Sequence, residues 1–281
     1  LAKGGANIAV NYRRDEAAAS EAVAEITALG RAAQAFQASV DNLEQASTMV
    51  AKITANLGAI SILINNAGIA SRGLSVTDTD PAEMERVVRV HAFGPHYLSK
   101  LVIPMMREQD RGDIVMISSV ATDSYGAFGA PYNMGKAAME GLAFTLAKEE
   151  HKNNIRTNVV APPLVETDMG RRLVKARSGL QDLRELDAYM PFGHVCQPDD
   201  IANVVRFLVS ESNTYVNGQR IAVDGGSLRV RYRALMVLPS SGLIEANSRL
   251  VRFSAIWISP DLSSASLCDE SGISRYTTSV K

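Results

Sequence analysis

Residues 112–136 read GDIVMISSVATDSYGAFGAPYNMGK. An apolar run (Ile114, Val115, Met116, Ile117) stops abruptly at two serines, a loop of small residues follows, and Pro131 leads into good helix formers that continue to Glu150. The run predicts a buried strand over Asp113–Ser118, and a proline in the first turn predicts a helix start. Tyr132 and Lys136 are four residues apart, so on that helix their side chains share one face. Ser119 follows the strand, thirteen residues before Tyr132. Ligands of open α/β sheets sit at the carboxyl ends of strands, so Ser119, Tyr132 and Lys136 are expected to converge on one cleft.

The chemistry of such a trio follows from its groups. A phenol titrates near pH 10, too high for efficient proton exchange at neutrality. A neighbouring ammonium favours the phenolate and is expected to bring that value down. A hydroxyl beside it can donate to a carbonyl oxygen as negative charge develops there. Together they suit proton transfer to or from a carbonyl or alcohol oxygen, which is half of a hydride transfer. A tyrosine and a lysine four apart are more often a plain helix surface, so the rest of the chain has to decide.

The alternation on either side extends the pattern. Working toward the amino terminus, a strand over 60–64 closes on Asn65, Asn66, Ala67 and Gly68, a helix spans Leu43–Leu57, and strands cover roughly 33–38 and 7–12 with a helix from about Asp15 to Leu29 between them. Leu1 to Lys3 read as a last helical turn stopped by two glycines. A long helix is expected from Pro81 to about Gln109. Toward the carboxyl terminus come a strand over 155–160, an Arg-rich segment with short helices to Cys196, a helix over 199–210 and a strand over 219–223. Alternating strands and helices through residue 228 predict one α/β domain with a parallel sheet covered on both faces. The net charge of −1 gives no footing for a nucleic-acid partner, and two cysteines form neither a disulfide framework nor a metal cluster. No apolar run is long enough for a membrane span, and a cytoplasmic location is the default expectation.

Several ordered motifs then agree: NNAG at 65–68, ISS at 117–119, YNMGK at 132–136, NVVAPPLVETDM at 158–169 and YVNGQRIAVDGG at 215–226. On these the chain is similar to the short-chain dehydrogenase/reductase (SDR) family over residues 1–228, and resembles its 3-oxoacyl-(acyl-carrier-protein) reductase-like members. The resemblance implies a Rossmann-like doubly wound parallel sheet, a nicotinamide cofactor, a small carbonyl or alcohol substrate, and a homo-oligomer, tetramer or dimer. It implies that Tyr132 is the general acid in carbonyl reduction, that Lys136 lowers its pKa and holds the nicotinamide ribose, and that Ser119 binds the substrate oxygen. Asn66, Ala67 and Gly68 would line the adenosine side, Val165 would meet the carboxamide, Thr167 would sit by the phosphates, and Val40 would lie near the adenine. A carboxylate after the strand over 7–12 would select NAD(H); here Arg13 and Arg14 stand there, which favours NADP(H).

Four features depart from the family pattern. The family opens with a strand and a glycine-rich turn, and this sequence begins after both, so the sheet is expected to lack the strand between those at 7–12 and 60–64. Two interior edges would then lose ladder partners, and a truncated gene product or incomplete sequence with weakened cofactor binding is expected. His91 stands where the family has an asparagine in the proton relay behind the lysine. A neutral imidazole can donate and accept, yet its size and ring geometry differ, so a working relay and a damaged one both stay open. Pro163 replaces the glycine of a Pro-Gly turn, where it supplies neither φ > 0 nor an N–H. Residues 229–281 form an atypical serine- and arginine-rich extension in which Arg229–Leu238 fit a strand. Against the reductase reading stands a second one, a non-catalytic SDR fragment or interaction protein.

Overall fold

The structure is a computed structural model that describes residues 1–178 and 180–227, with Arg177 and Ser178 described in backbone only. The extension at 229–281, including the strand expected at its start, and the domain boundary at 228 lie outside the described residues. Six parallel strands and eight helices alternate along the described chain. They are β1 (Ile8–Tyr12), α1 (Glu16–Ala28), β2 (Ala33–Gln37), α2 (Leu43–Leu57), β3 (Ile62–Asn65), α3 (Pro81–Val88), α4 (Gly94–Met106), β4 (Gly112–Ile117), the single turn α5 (Ala121–Ser124), α6 (Ala130–Glu150), β5 (Ile155–Ala161), α7 (Asp168–Ser178), α8 (Pro198–Leu208) and β6 (Arg220–Ala222).

The local chemistry explains these boundaries. Asp15, Asn42 and Asp80 cap α1, α2 and α3 by accepting backbone N–H bonds from Ala18, Gln45 and Ala82. Gly58 ends α2 at φ 90°, a backbone that a side chain would strain. The long helix foreseen at 81–109 is present but interrupted. Between α3 and α4 the segment Arg89–Phe93 winds as a π-helix, a wider turn that shifts the phase of the faces before and after it.

The strands form two parallel sheets, β1–β2 and β3–β4–β5–β6, and β1 and β3 share no ladder. Register alternation along β4 loads both faces of the larger sheet. Ile114 and Met116 pack into a core with α2, α4 and α6 residues such as Val50, Val102 and Met139. Val115 packs on the other side with Val160 of β5 and with Val205 and Leu208 of α8. Strands buried on both faces read as unbroken apolar runs, which is why β4 and β5 stand out in the sequence. The smaller sheet joins the first core through Phe36 and through Val40, which follows β2. The carboxyl ends of β3, β4 and β5 thus open toward the amino-terminal part of α6.

Candidate active site

Ser119, Tyr132 and Lys136 meet where β4 ends and α6 begins. The Ser119 hydroxyl lies near enough to the Tyr132 phenol to favour its ionised form, and its Oγ accepts the Ala121 backbone N–H at 3.1 Å. Lys136 Nζ lies 5.7 Å from the centre of the Tyr132 ring and donates to the Ile117 carbonyl oxygen at 2.6 Å. Pro131 occupies the first turn of α6, where its missing N–H costs nothing.

Electrostatics at the trio differ from the sequence expectation. Burial pushes the Tyr132 phenol above its ordinary value, and the Ser119 hydroxyl only partly opposes this. Lys136 is not the group that lowers it. Burial brings the Lys136 ammonium itself down to about 7, with the Glu140 carboxylate pulling the other way. A cation that is half neutral near pH 7 exerts less pull on a phenol than a fully charged one would. The tyrosine in this state is a protonated donor, and the lysine is sensitive to any negative charge brought near it.

His91 sits behind the trio. Its ring lies edge-on to Tyr132, with centroids 5.2 Å apart at 78°. Nε2 is 2.8 Å from the Ile69 carbonyl oxygen and 3.3 Å from the Ile69 amide nitrogen, while Nδ1 is buried without a hydrogen-bond partner among the described residues. Burial, reinforced by the charge of Lys136, lowers its pKa to about 3 against a smaller upward pull from the Ile69 bond. The imidazole is therefore neutral. No hydrogen bond joins it to Lys136 among the described side chains. Two glycines make room for the ring: a Cβ on Gly68 would fall 2.9 Å from His91 Cε1, and one on Gly135 would fall 2.8 Å from His91 Cβ.

The other expected site residues scatter over the same end of the sheet. Asn66 and Ala67 are exposed after β3, and Gly68 faces His91, its added Cβ lying 3.8 Å from Lys136 Nζ. Val165 bridges to Cys196, and Thr167 Oγ1 accepts the Gly170 N–H at 3.1 Å, a helix-cap contact. Arg13 is exposed after β1 and lines a cleft of about 690 Å³ between β2 and α2. Val40 is buried against Gly94, so its side chain belongs to the core. Pro163 is accommodated because no residue from Ala161 to Thr167 has positive φ. One residue within the NNAG motif carries an unforeseen signal: both amide atoms of Asn65 are buried without a hydrogen-bond partner at the strand end.

These residues fit a nicotinamide dinucleotide. Lys136 uses one of its three N–H donors on Ile117 and leaves two for ligand hydroxyls. Gly68 keeps the approach to that ammonium free of a side chain, and the orphaned amide of Asn65 calls for polar company nearby. Among the described residues no cluster of His, Cys, Asp and Glu has metal-binding geometry.

Comparison with known proteins agrees with this geometry. A family model described as enoyl-(acyl carrier protein) reductase matches residues 1–227. The chain is 30% identical over 227 residues to human dehydrogenase/reductase SDR family member 4, covering 81% of this chain and 80% of that protein. It is 35% identical over 192 residues to the 3-oxoacyl-(acyl-carrier-protein) reductase of Thermotoga maritima, covering 66% and 74%. Among solved structures, a gluconate 5-dehydrogenase from Burkholderia cenocepacia in complex with NADP and tartrate superposes with TM-score 0.73 at 30% identity, over 82% of this chain and 88% of that one. The chain belongs to the short-chain dehydrogenase/reductase family of oxidoreductases, and its Rossmann-like α/β fold is that of the family's dehydrogenases. No helix among the described residues is long and apolar enough to cross a membrane.

Proposed function

We propose that the protein is an NADP(H)-dependent reductase that interconverts a carbonyl and an alcohol, with 3-oxoacyl thioesters among its substrates, and that it works as a homo-oligomer. The observation that carries this reading is the convergence of Ser119, Tyr132 and Lys136 at one strand end. In reduction Tyr132, held protonated by its burial, gives its proton to the substrate oxygen while Ser119 donates a hydrogen bond to that oxygen. Lys136 lies one turn along the same helix face, where its remaining N–H donors would hold ligand hydroxyls beside the phenol. The nicotinamide, when bound, supplies or accepts the hydride. Lys136, Asn66, Ala67, Gly68, Val165 and Thr167 would hold it, and Arg13 would favour the 2′-phosphate. His91, neutral and turned to Ile69, would shape the back of the site. The NADP held by the gluconate 5-dehydrogenase supports the cofactor choice.

The test is NADPH oxidation by the purified chain against a panel of carbonyl compounds that includes a 3-oxoacyl thioester, with NADH and a Tyr132→Phe variant in parallel. Saturable NADPH-preferring turnover that falls about 10²- to 10⁴-fold in the variant is expected. Absence of turnover across the panel, or turnover indifferent to Tyr132→Phe, overturns the proposal.

A further inference from the structure

The turn that presents Ser119 is held from below by two charged residues distant in the chain. Arg220 opens β6, and Glu140 stands one helical turn beyond Lys136 on α6. Arg220 Nε donates to Glu140 Oε1 at 2.9 Å. Its Nη2 donates to the Ser119 carbonyl oxygen at 3.2 Å, to Thr122 Oγ1 at 2.9 Å and to the Asp123 carboxylate at 2.6 Å. Glu140 Oε1 also accepts from Ser118 Oγ at 2.6 Å and from Thr122 Oγ1 at 2.8 Å. Thr122 Oγ1 lies within 2.9 Å of the Ser119 carbonyl as well. Glu140 is only 9% exposed, so its bonds lie largely out of water, whereas the Arg220–Asp123 pair lies nearer the surface.

We infer that Arg220 and Glu140 are a positioning pair that fixes the backbone of Ser119 against the helix bearing Tyr132 and Lys136, an inference that rests on the reductase reading above. A buried ion pair is poor value as a source of stability, because well-packed apolar residues in its place are often neutral or better. What this pair does achieve is geometric. The planar guanidinium reaches β4's end, α5 and α6 at once, which a lysine's point charge does not reproduce. Neither residue touches the reacting atoms. Both act through Ser119, whose anchored backbone fixes the position of the Cβ that carries its hydroxyl, and an ångström of misplacement is enough to cost about 10²-fold in rate.

The experiment compares wild type, Arg220→Met, the double variant Glu140→Met/Arg220→Met and Tyr132→Phe by steady-state kinetics, NADPH titration and hydrogen–deuterium exchange. The double variant guards against misfolding, since it leaves no unpaired buried charge. Both Arg220 variants are expected to lose about 10- to 100-fold in kcat. Their NADPH affinity is expected to stay close to wild type, and amides of residues 118–124 are expected to exchange faster while those of β4 and β5 do not change. Unchanged kcat in an active wild-type background, or unchanged protection of 118–124, overturns the inference. If wild type shows no turnover, or Tyr132→Phe keeps it, the reductase reading fails, and the exchange measurement alone decides: selective loss at 118–124 supports the positioning role and unchanged protection removes it.

Discussion

The two sheets of this protein are built differently. In the four-stranded sheet Ile114, Val115 and Met116 of β4 and Val159 and Val160 of β5 are at most 1% exposed. In the two-stranded sheet no residue of β1 is buried and only Phe36 of β2 is. The trio and the network under it belong entirely to the first region, with Ser119, Tyr132 and Lys136 on elements flanking β4. Arg13, proposed to recognise the cofactor's phosphate, belongs to the second. Proton chemistry demands side chains held within fractions of an ångström, and the residues proposed for it stand where packing is dense. Charge recognition of a phosphate tolerates more movement, and the residue proposed for it stands where packing is looser.

That contrast can be broken in four ways. The largest expected effect is at Lys136. Lys136→Met should lower turnover about 10²- to 10⁴-fold while raising thermal stability at neutral pH, because a buried ammonium is removed. In the folded state Lys136 titrates at about 7 and when unfolded near 10.5, so between those values the unfolded chain binds more protons and wild-type stability rises with pH. The variant's advantage should therefore shrink from about pH 7 to about pH 10.5, as melting curves across that range would show. Next comes packing: Met116→Ala should cost about 2–5 kcal/mol in denaturant unfolding, and Val10→Ala in half-buried β1 well under half as much. Equal costs would erase the distinction between the sheets.

Smaller effects follow. His91 titrates at about 3 folded and near 6.5 unfolded, so its contribution to stability is complete above 6.5 and is lost as pH falls toward 3. His91→Asn should flatten the acid limb of stability in that window, measured by chemical unfolding at several pH values. Smallest is Arg13→Glu, expected to reduce preference for NADPH over NADH by about tenfold in fluorescence titration with the melting temperature unchanged. A large melting shift there would mean that Arg13 serves the fold.

Much of this architecture was legible in the residues. The limits of α2 were readable to the residue because Asn42 and Gly58 are strong signals at its two ends. The β4–α6 unit was readable because a strand buried on both faces is a bare apolar run. The π-turn at Arg89–Phe93 was not, since it is a change of winding inside an unbroken helical pattern. Nor was the sign of the Tyr132 shift. Spacing puts a cation one turn away, whereas only the tertiary structure shows that burial outweighs it. The Arg220 network escaped for a simpler reason: its partners lie up to 101 residues apart, and no local pattern links them.

The contact between Gly135 and His91 has a consequence for how the chain can change over time. Glycine inside a helix gives up about 1 kcal/mol relative to alanine, so drift at position 135 would ordinarily run toward alanine. Here that step is opposed by the Cβ at position 91, because the added methyl would stand 2.8 Å from it. Any side chain at 91 that keeps a Cβ, however small, leaves that contact in place. The two positions are thus linked across helices and 44 positions of the chain: glycine is held at 135 by the backbone placement of 91 more than by the imidazole it carries.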